Sequence, residues 1–261
     1  MRTAVVTGGN RGIGYAVAES LRDKGFRVVA LVRDPTAADR VRDALGVDVV
    51  PGDLSSARTV AAAADALRTE CPTIDVLVHN AGLWPTSPRH NEDGLELAFA
   101  VNHLAPFQLN LALEDRLRTV VQVSAGLYVK GRVDPDRTPT GKDFHRIRTY
   151  CDTKLANLLL LPLFARRWQD AGISVNAVHP GVIRTRLGDP GGPLGLVLRL
   201  VKRTWQPPEA GARPVVRLAD PDGLTGRYFE VDEEKPGPAD EDLAQRLWRQ
   251  AVELTGARDA G

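Results

Sequence analysis

Thr7-Gly8-Gly9-Asn10-Arg11-Gly12-Ile13-Gly14 is the stretch on which the reading of this chain turns. A β-branched run, Thr3–Thr7, leads into it, and a stretch of helical spacing, Ile13–Lys24, follows and stops at Gly25. A strand, a glycine turn and a helix in that order make a phosphate cradle. Gly8 permits the tight turn, Gly12 admits the close approach of a pyrophosphate, and Gly14 lets the helix pack closely on the sheet. The helix N-terminus adds free N–H groups and the positive end of its dipole. Three glycines alone are weak support, since any strand-to-helix turn can use them. The spacing, moreover, is GxxxGxG and not the commoner GxGxxG.

Outward from this loop, short apolar runs alternate with helical periods. Strands are predicted at Arg27–Val32, Val47–Val50, Asp75–His79, Thr119–Ser124, Ile173–Val178 and Arg227–Val231. Helices are predicted at Thr36–Leu45, Ala57–Glu70, Asn91–Leu117 and Thr149–Asp170, the last with Pro162 inside it as an expected kink. Buried β runs separated by helices imply a parallel sheet covered on both faces. The expected fold class is therefore α/β: a Rossmann-type doubly wound parallel sheet, one domain over residues 1–261. Residues 125–148 and about 186–208 break the rhythm with Gly, Pro and charge, as loops over a binding site do. The second contains Pro193–Trp205, a candidate amphipathic helix.

Composition excludes several classes. The formal net charge is +1 over 261 residues, with no basic stripe to attract nucleic acid. The two cysteines, Cys71 and Cys151, have no metal-ligand spacing and fit a reducing cytoplasm. Met1 runs almost directly into the first strand, so no signal peptide is expected. The longest apolar run, Leu155–Ala165, is interrupted by Asn157 and Pro162 and is too short to span a bilayer.

Tyr150 and Lys154 stand four apart on a predicted helix and so share a face. An ammonium beside a phenol favours the phenolate, which suits proton exchange with an oxygen near neutral pH. Ser124 ends a buried strand, at the sheet edge where open α/β folds place their sites. A Tyr–Lys pair at this spacing is common by chance. Its weight comes from the order TGxxxGxG, Asp53-Leu54, Asn80-Ala81-Gly82, Asn102, Ser124, Tyr150/Lys154, and Pro180-Gly181 with Thr185.

That order resembles the short-chain dehydrogenase/reductase family over most of the chain. The resemblance implies that Tyr150 is the general acid of carbonyl reduction and Ser124 orients and polarises the carbonyl. It also implies that Lys154 binds the nicotinamide ribose and that Asn102 holds a water linking Lys154 to solvent. Gly8, Asn10, Arg11, Gly12, Ile13 and Gly14 would cradle the phosphates. Asp53 and Leu54 would meet the adenine, and Asn80, Ala81 and Gly82 would line the cofactor. Pro180, Gly181, Val182 and Thr185 would bracket the carboxamide. Each has a plainer reading too: Asp53 and Asn80 as strand-end caps, Pro180-Gly181 as a turn. Within the family, Tyr150-Cys151-Asp152-Thr153-Lys154-Leu155-Ala156-Asn157 and His179-Pro180-Gly181-Val182-Ile183-Arg184-Thr185 look like the retinol-dehydrogenase-like and protochlorophyllide-reductase-like branch. Many such proteins carry an N-terminal membrane anchor, which is not seen here. His79 replaces a common asparagine and reads as strand-end packing. The helix holding Pro162 often joins subunits in the family, so a homo-oligomer stays open.

Cofactor choice rests on charge. The acid about 20 residues beyond the loop is Asp34, which would select NAD. Followed by Pro35, however, it is also a good helix N-cap. The family's selecting position aligns with Val32, and Arg33 with Arg11 would suit a 2′-phosphate. NADP(H) is the expectation. Trp84, Leu127, Tyr128, Leu187, Leu194 and Leu198 fall in loops that would roof the site, which points to a bulky apolar carbonyl or alcohol. The alternatives are an NAD-dependent alcohol dehydrogenase, a sugar-nucleotide epimerase or dehydratase, and a non-enzymatic NADP-sensing protein.

Overall fold

The computed structural model describes residues 1–183 and 206–258. Eight strands form one sheet: β1 (Thr3–Thr7), β2 (Arg27–Val32), β3 (Asp48–Pro51), β4 (Ile74–His79), β5 (Leu117–Val123), β6 (Ser174–His179), β7 (Arg227–Glu230) and β8 (Glu233–Lys235). Their order is β3-β2-β1-β4-β5-β6-β7-β8, all parallel except the β7–β8 pair. The direction of winding reverses between β1 and β4, which opens a crevice at their carboxyl ends.

Helices α1 (Gly12–Asp23), α2 (Pro35–Leu45) and α6 (Pro208–Arg217) cover one face, packing on Val6, Val78, Val121 and Val178. The other face carries α3 (Ala57–Glu70), α4 (Leu97–Leu113), α5 (Arg148–Arg167) and α7 (Glu241–Thr255), over Val5, Leu77, Val120 and Val175. The register explains this division. Val120 pairs with Val175 and Val121 with Asn176, so successive residues send their side chains to opposite layers. In α3 the residues Val60, Ala63, Ala64 and Leu67 are buried at the spacing of a single helical face.

The long helix expected over Asn91–Leu117 is shorter and composite. Asn91–Gly94 forms a turn, in which Asn91 Oδ1 accepts from the N–H groups of Asp93 (3.0 Å) and Leu95 (2.9 Å) and Gly94 has φ +76°. Such side-chain bonds compete with helix formation. Glu96 then accepts from Phe99 N at 2.8 Å and caps α4, which is α-helical over Leu97–Phe99, π-helical over Ala100–Leu104 and α-helical again over Ala105–Leu113. Leu117 already belongs to β5. Helix α5 runs on through Pro162, which is exposed.

Three elements have no counterpart in the sequence reading: α6, β8 and α7. For α7 the signals were present: Asp240 accepts from Leu243 N at 3.0 Å, Ala244, Leu247, Trp248 and Ala251 are buried on one face, and Gly256 ends the helix at φ +62°. The segment Pro193–Trp205, with Leu194 and Leu198, lies outside the described residues.

Candidate active site

The glycine loop is braced by β4 through side chains. Thr7 Oγ1 accepts from Asn80 N and Ala81 N, both at 3.0 Å. Asn80 Nδ2 donates to Thr7 O at 3.0 Å and to Gly8 O at 3.3 Å. Gly8 and Gly12 have φ +65° and +54°, a region that non-glycine residues rarely adopt. The need for Gly14 is more specific than close packing on the sheet. A Cβ there would stand 2.3 Å from Asn80 Nδ2 and 2.4 Å from Gly8 O. Helix α1 starts after Arg11 with no side-chain cap, so its first N–H groups are free for an anion. Asn10 and Ile13 lie half-buried on the same loop.

Arg11 and Arg33 are exposed at the carboxyl ends of β1 and β2, and among the described residues neither guanidinium has an ion pair or hydrogen bond. Asp34 serves as the N-cap of α2, accepting from Thr36 N at 2.9 Å, with Pro35 at the first helical position. That is the plainer of the two readings of Asp34. Asp53 accepts from Ser55 N at 3.0 Å, while Leu54 is buried in the core.

Asn102, Ser124, Tyr150 and Lys154 come together, all buried, where β5 meets α4 and α5. Lys154 Nζ donates to Val123 O at 2.9 Å, and Ser124 Oγ has no hydrogen-bond partner among the described residues. The amide of Asn102 is engaged at both ends: Oδ1 accepts from Leu83 N (2.7 Å), and Nδ2 donates to Leu83 O (2.8 Å) and Thr153 Oγ1 (3.1 Å). Thr153 Oγ1 in turn donates to Tyr150 O at 2.8 Å. Pro106 has no N–H to offer the carbonyl four residues back, and Asn157 Nδ2 donates to that carbonyl, Asn102 O, at 2.7 Å. Asn157 and Thr153 were missed as supports; the Asn102/Pro106 spacing was the available signal.

One electrostatic expectation is reversed. Burial pushes the Tyr150 phenol well above its ordinary pKa, and Lys154 does not bring it down. The ammonium bonds a backbone carbonyl, 5.7 Å from the centre of the phenol ring. Desolvation also lowers Lys154 to about 8. His79 packs as expected, its Nε2 2.8 Å from Asn110 Oδ1 and its pKa driven by burial to about 4.

Trp84 stacks on Tyr150 with ring centres 4.5 Å apart and planes 1° from parallel. Leu127 and Tyr128 lie half-buried in a short 3-10 turn after Ser124, and Tyr128 packs edge-on against Tyr228. Pro180 is buried, Gly181 has φ +94°, and Val182 is exposed just beyond β6. Thr185 and Leu187 lie outside the described residues. A small cavity of about 20 Å³ under α4 and α5, lined by His103, Asn110, Gln122 and Asn157, is far too small for a substrate.

A dinucleotide-type crevice with a Ser–Tyr–Lys group at its edge defines an oxidoreductase class, and comparison with known proteins agrees. The family described as short chain dehydrogenase matches residues 2–191, and the chain belongs to that family. Human retinol dehydrogenase 13 is 32% identical over 283 residues, covering 98% of this chain and 85% of that protein. Retinol dehydrogenase 14 of Mus musculus is 33% identical, covering 95% and 84%. Among solved structures, an uncharacterised protein from Mycobacterium Paratuberculosis superposes with a TM-score of 0.76 at 25% identity, covering 98% of this chain and 94% of that one. BdcA in complex with NADPH gives 0.69 at 25% identity, covering 88% and 92%. Among the described residues no helix is long and apolar enough to cross a membrane, and none of their acidic, His or Cys side chains cluster as a metal site.

Proposed function

We propose that this protein is an NADPH-dependent carbonyl reductase of the cytoplasm, acting on a ketone or aldehyde carried by a bulky, apolar small molecule. The reading rests chiefly on the buried group formed by Ser124, Tyr150 and Lys154, with Ser124 Oγ lacking a partner among the described residues. A buried hydroxyl in that state calls for a polar ligand.

The residues suit a dinucleotide phosphate. The Gly8–Gly14 turn with the uncapped N-terminus of α1 would hold the pyrophosphate. Arg11 and Arg33, both unpaired, would hold the 2′-phosphate. Asp53 and Leu54 would meet the adenine, and Asn80, Ala81 and Gly82 the middle of the cofactor. Lys154 would hold the nicotinamide ribose, with Pro180, Gly181, Val182 and Thr185 at the carboxamide. When bound, the cofactor supplies a hydride to the carbonyl carbon. Ser124 Oγ–H donates a hydrogen bond to the carbonyl oxygen and fixes its direction. Tyr150 Oη gives its proton to that oxygen as the alcohol forms, and its protonated state suits this role. Support for NADPH also comes from the NADPH complex of BdcA, and for a bulky apolar substrate from relatives named for retinol.

Steady-state rates with NADPH and NADH, on bulky apolar and small polar carbonyls, test the proposal. Preference for NADPH with bulky ketones is expected; preference for small sugars overturns the substrate class. Tyr150→Phe should lower turnover by at least about a hundredfold while NADPH binding stays nearly unchanged. Unchanged turnover in that variant removes the assigned acid.

A further inference from the structure

We propose that Trp84 is a positioning residue for the proton donor: its indole, laid flat on Tyr150 and tied to Arg146, fixes the plane of the phenol and keeps water off it, holding the phenol in its neutral, proton-donating form. The inference rests on the reading of Tyr150 as the general acid. It adds a residue that family membership does not supply.

Three observations carry it. The two rings are 4.5 Å apart at their centres and 1° from parallel, an offset stack against one face of the phenol. Trp84 Nε1 donates to Arg146 O at 2.6 Å, a bond the indole gives up if it turns out. Finally, one amide aligns the backbones beneath both rings. Asn102 holds both polar backbone atoms of Leu83, the residue before Trp84, and reaches Thr153, which bonds Tyr150 O. The stack is thus fixed at the indole edge and beneath each ring.

Its chemical effect follows from ring electrostatics. The face of an indole carries the negative end of its quadrupole, which tolerates a neutral phenol and repels a phenolate. Covering that face also removes water that would solvate the anion. Few other groups act on the phenol. From its own helix come Lys154, 5.7 Å from the ring centre, and Cys151, whose thiol is itself pushed up by burial. The end of β5 presents the Ser124 hydroxyl, the 125–148 loop presents the Arg146 carbonyl to the indole, and the segment carrying Trp84 presents its apolar ring. Burial stands first among the causes that raise Tyr150. A phenol kept neutral stays able to give its proton to a carbonyl oxygen as the pH rises.

Two variants separate the roles of the face and the tether. Trp84→Leu removes the aromatic face, whereas Trp84→Phe keeps a stacking ring and loses the N–H. Tyrosinate absorbance is titrated in the cofactor-free protein, with Tyr150→Phe in each background as the subtraction. Reduction and oxidation rates are measured across pH in the loaded enzyme. In Trp84→Leu, Tyr150 should ionise at least about one pH unit lower, and the Tyr150-dependent pH limbs of reduction and of oxidation should both move down by the same amount. Trp84→Phe should fall between Trp84→Leu and the parent. Equal titration of parent and Trp84→Leu, including silence of Tyr150 in both up to alkaline unfolding, overturns the proposal. A rise in KM with unmoved pH limbs also overturns it, since Trp84 would then be only a substrate wall. Turnover retained in Tyr150→Phe would instead sink the assignment of the acid, while the absorbance titration still reports on the stack.

Discussion

The glycine loop and the Tyr150 helix face the same crevice but are held in different ways. The loop is pinned through its backbone by the side chains of Thr7 and Asn80, and the guanidinium groups of Arg11 and, after β2, Arg33 are exposed without partners among the described residues. Around Tyr150 the terms are reversed. Side chains are buried and stacked, the ammonium of Lys154 is partly stripped of solvent, and Ser124 Oγ is left bare. Exposed cations can attract a charged ligand from a distance without a large desolvation cost. A dry pocket makes each polar group act strongly at short range. One half of the site suits capture and the other suits chemistry.

Gly14→Ala should break the first half most severely. The new Cβ would meet backbone at Gly8 O as well as Asn80 Nδ2, and the loop must shift to admit it. A stability loss of about 1–3 kcal/mol is expected, with loss of measurable NADPH binding. A thermal melt and a nucleotide titration check this; a variant with parental melting and binding would mean that the contact relaxes freely.

Arg33→Ala sharpens the contrast from the charged side. Removing one charge-assisted bond to a phosphate should weaken NADPH binding by about tenfold or more and leave NADH nearly unaffected. Arg11→Ala should act in the same sense. Equal losses for both cofactors would mean that neither guanidinium reads the 2′-phosphate.

The smallest effect concerns pH and stability. His79 and His103 are held neutral by burial, both at about 4. Between that value and the unfolded value near 6.5 the unfolded chain binds more protons, so stability falls as pH falls through this window. Asp152 has the opposite sign. Burial raises it from 3.8 to about 6, so the folded chain takes up its proton first and acid is partly compensated. Melting temperature should therefore decline from pH 7 to 5, and Asp152→Asn should make the decline steeper. A flat or rising profile would contradict the burial of the two histidines.

Much of this molecule was legible before any coordinates. Buried β-branched runs and helical periods placed β1, β2 and α3 at their observed limits, because these patterns are local and repeat at the period of the element. The limits of α4 were misread because the side-chain turn at Asn91 competes with a helix whose composition otherwise continues through it. The short edge strand β8 has too few residues to show a period.

By itself, then, the sequence determined the doubly wound sheet, the glycine turn after β1 and the places of Asn102, Ser124, Tyr150 and Lys154 as candidates, because each is written in local spacing and chain order. Only the tertiary structure decided what surrounds them. That Gly14 makes room for Asn80, that Asp34 is a cap, that Asn102 joins two segments and that Trp84 covers Tyr150 all depend on which side chains the folded chain brings together. The reversal at Tyr150 has the same origin. Spacing places a lysine on the phenol's helix face, but burial decides whether the phenol ionises.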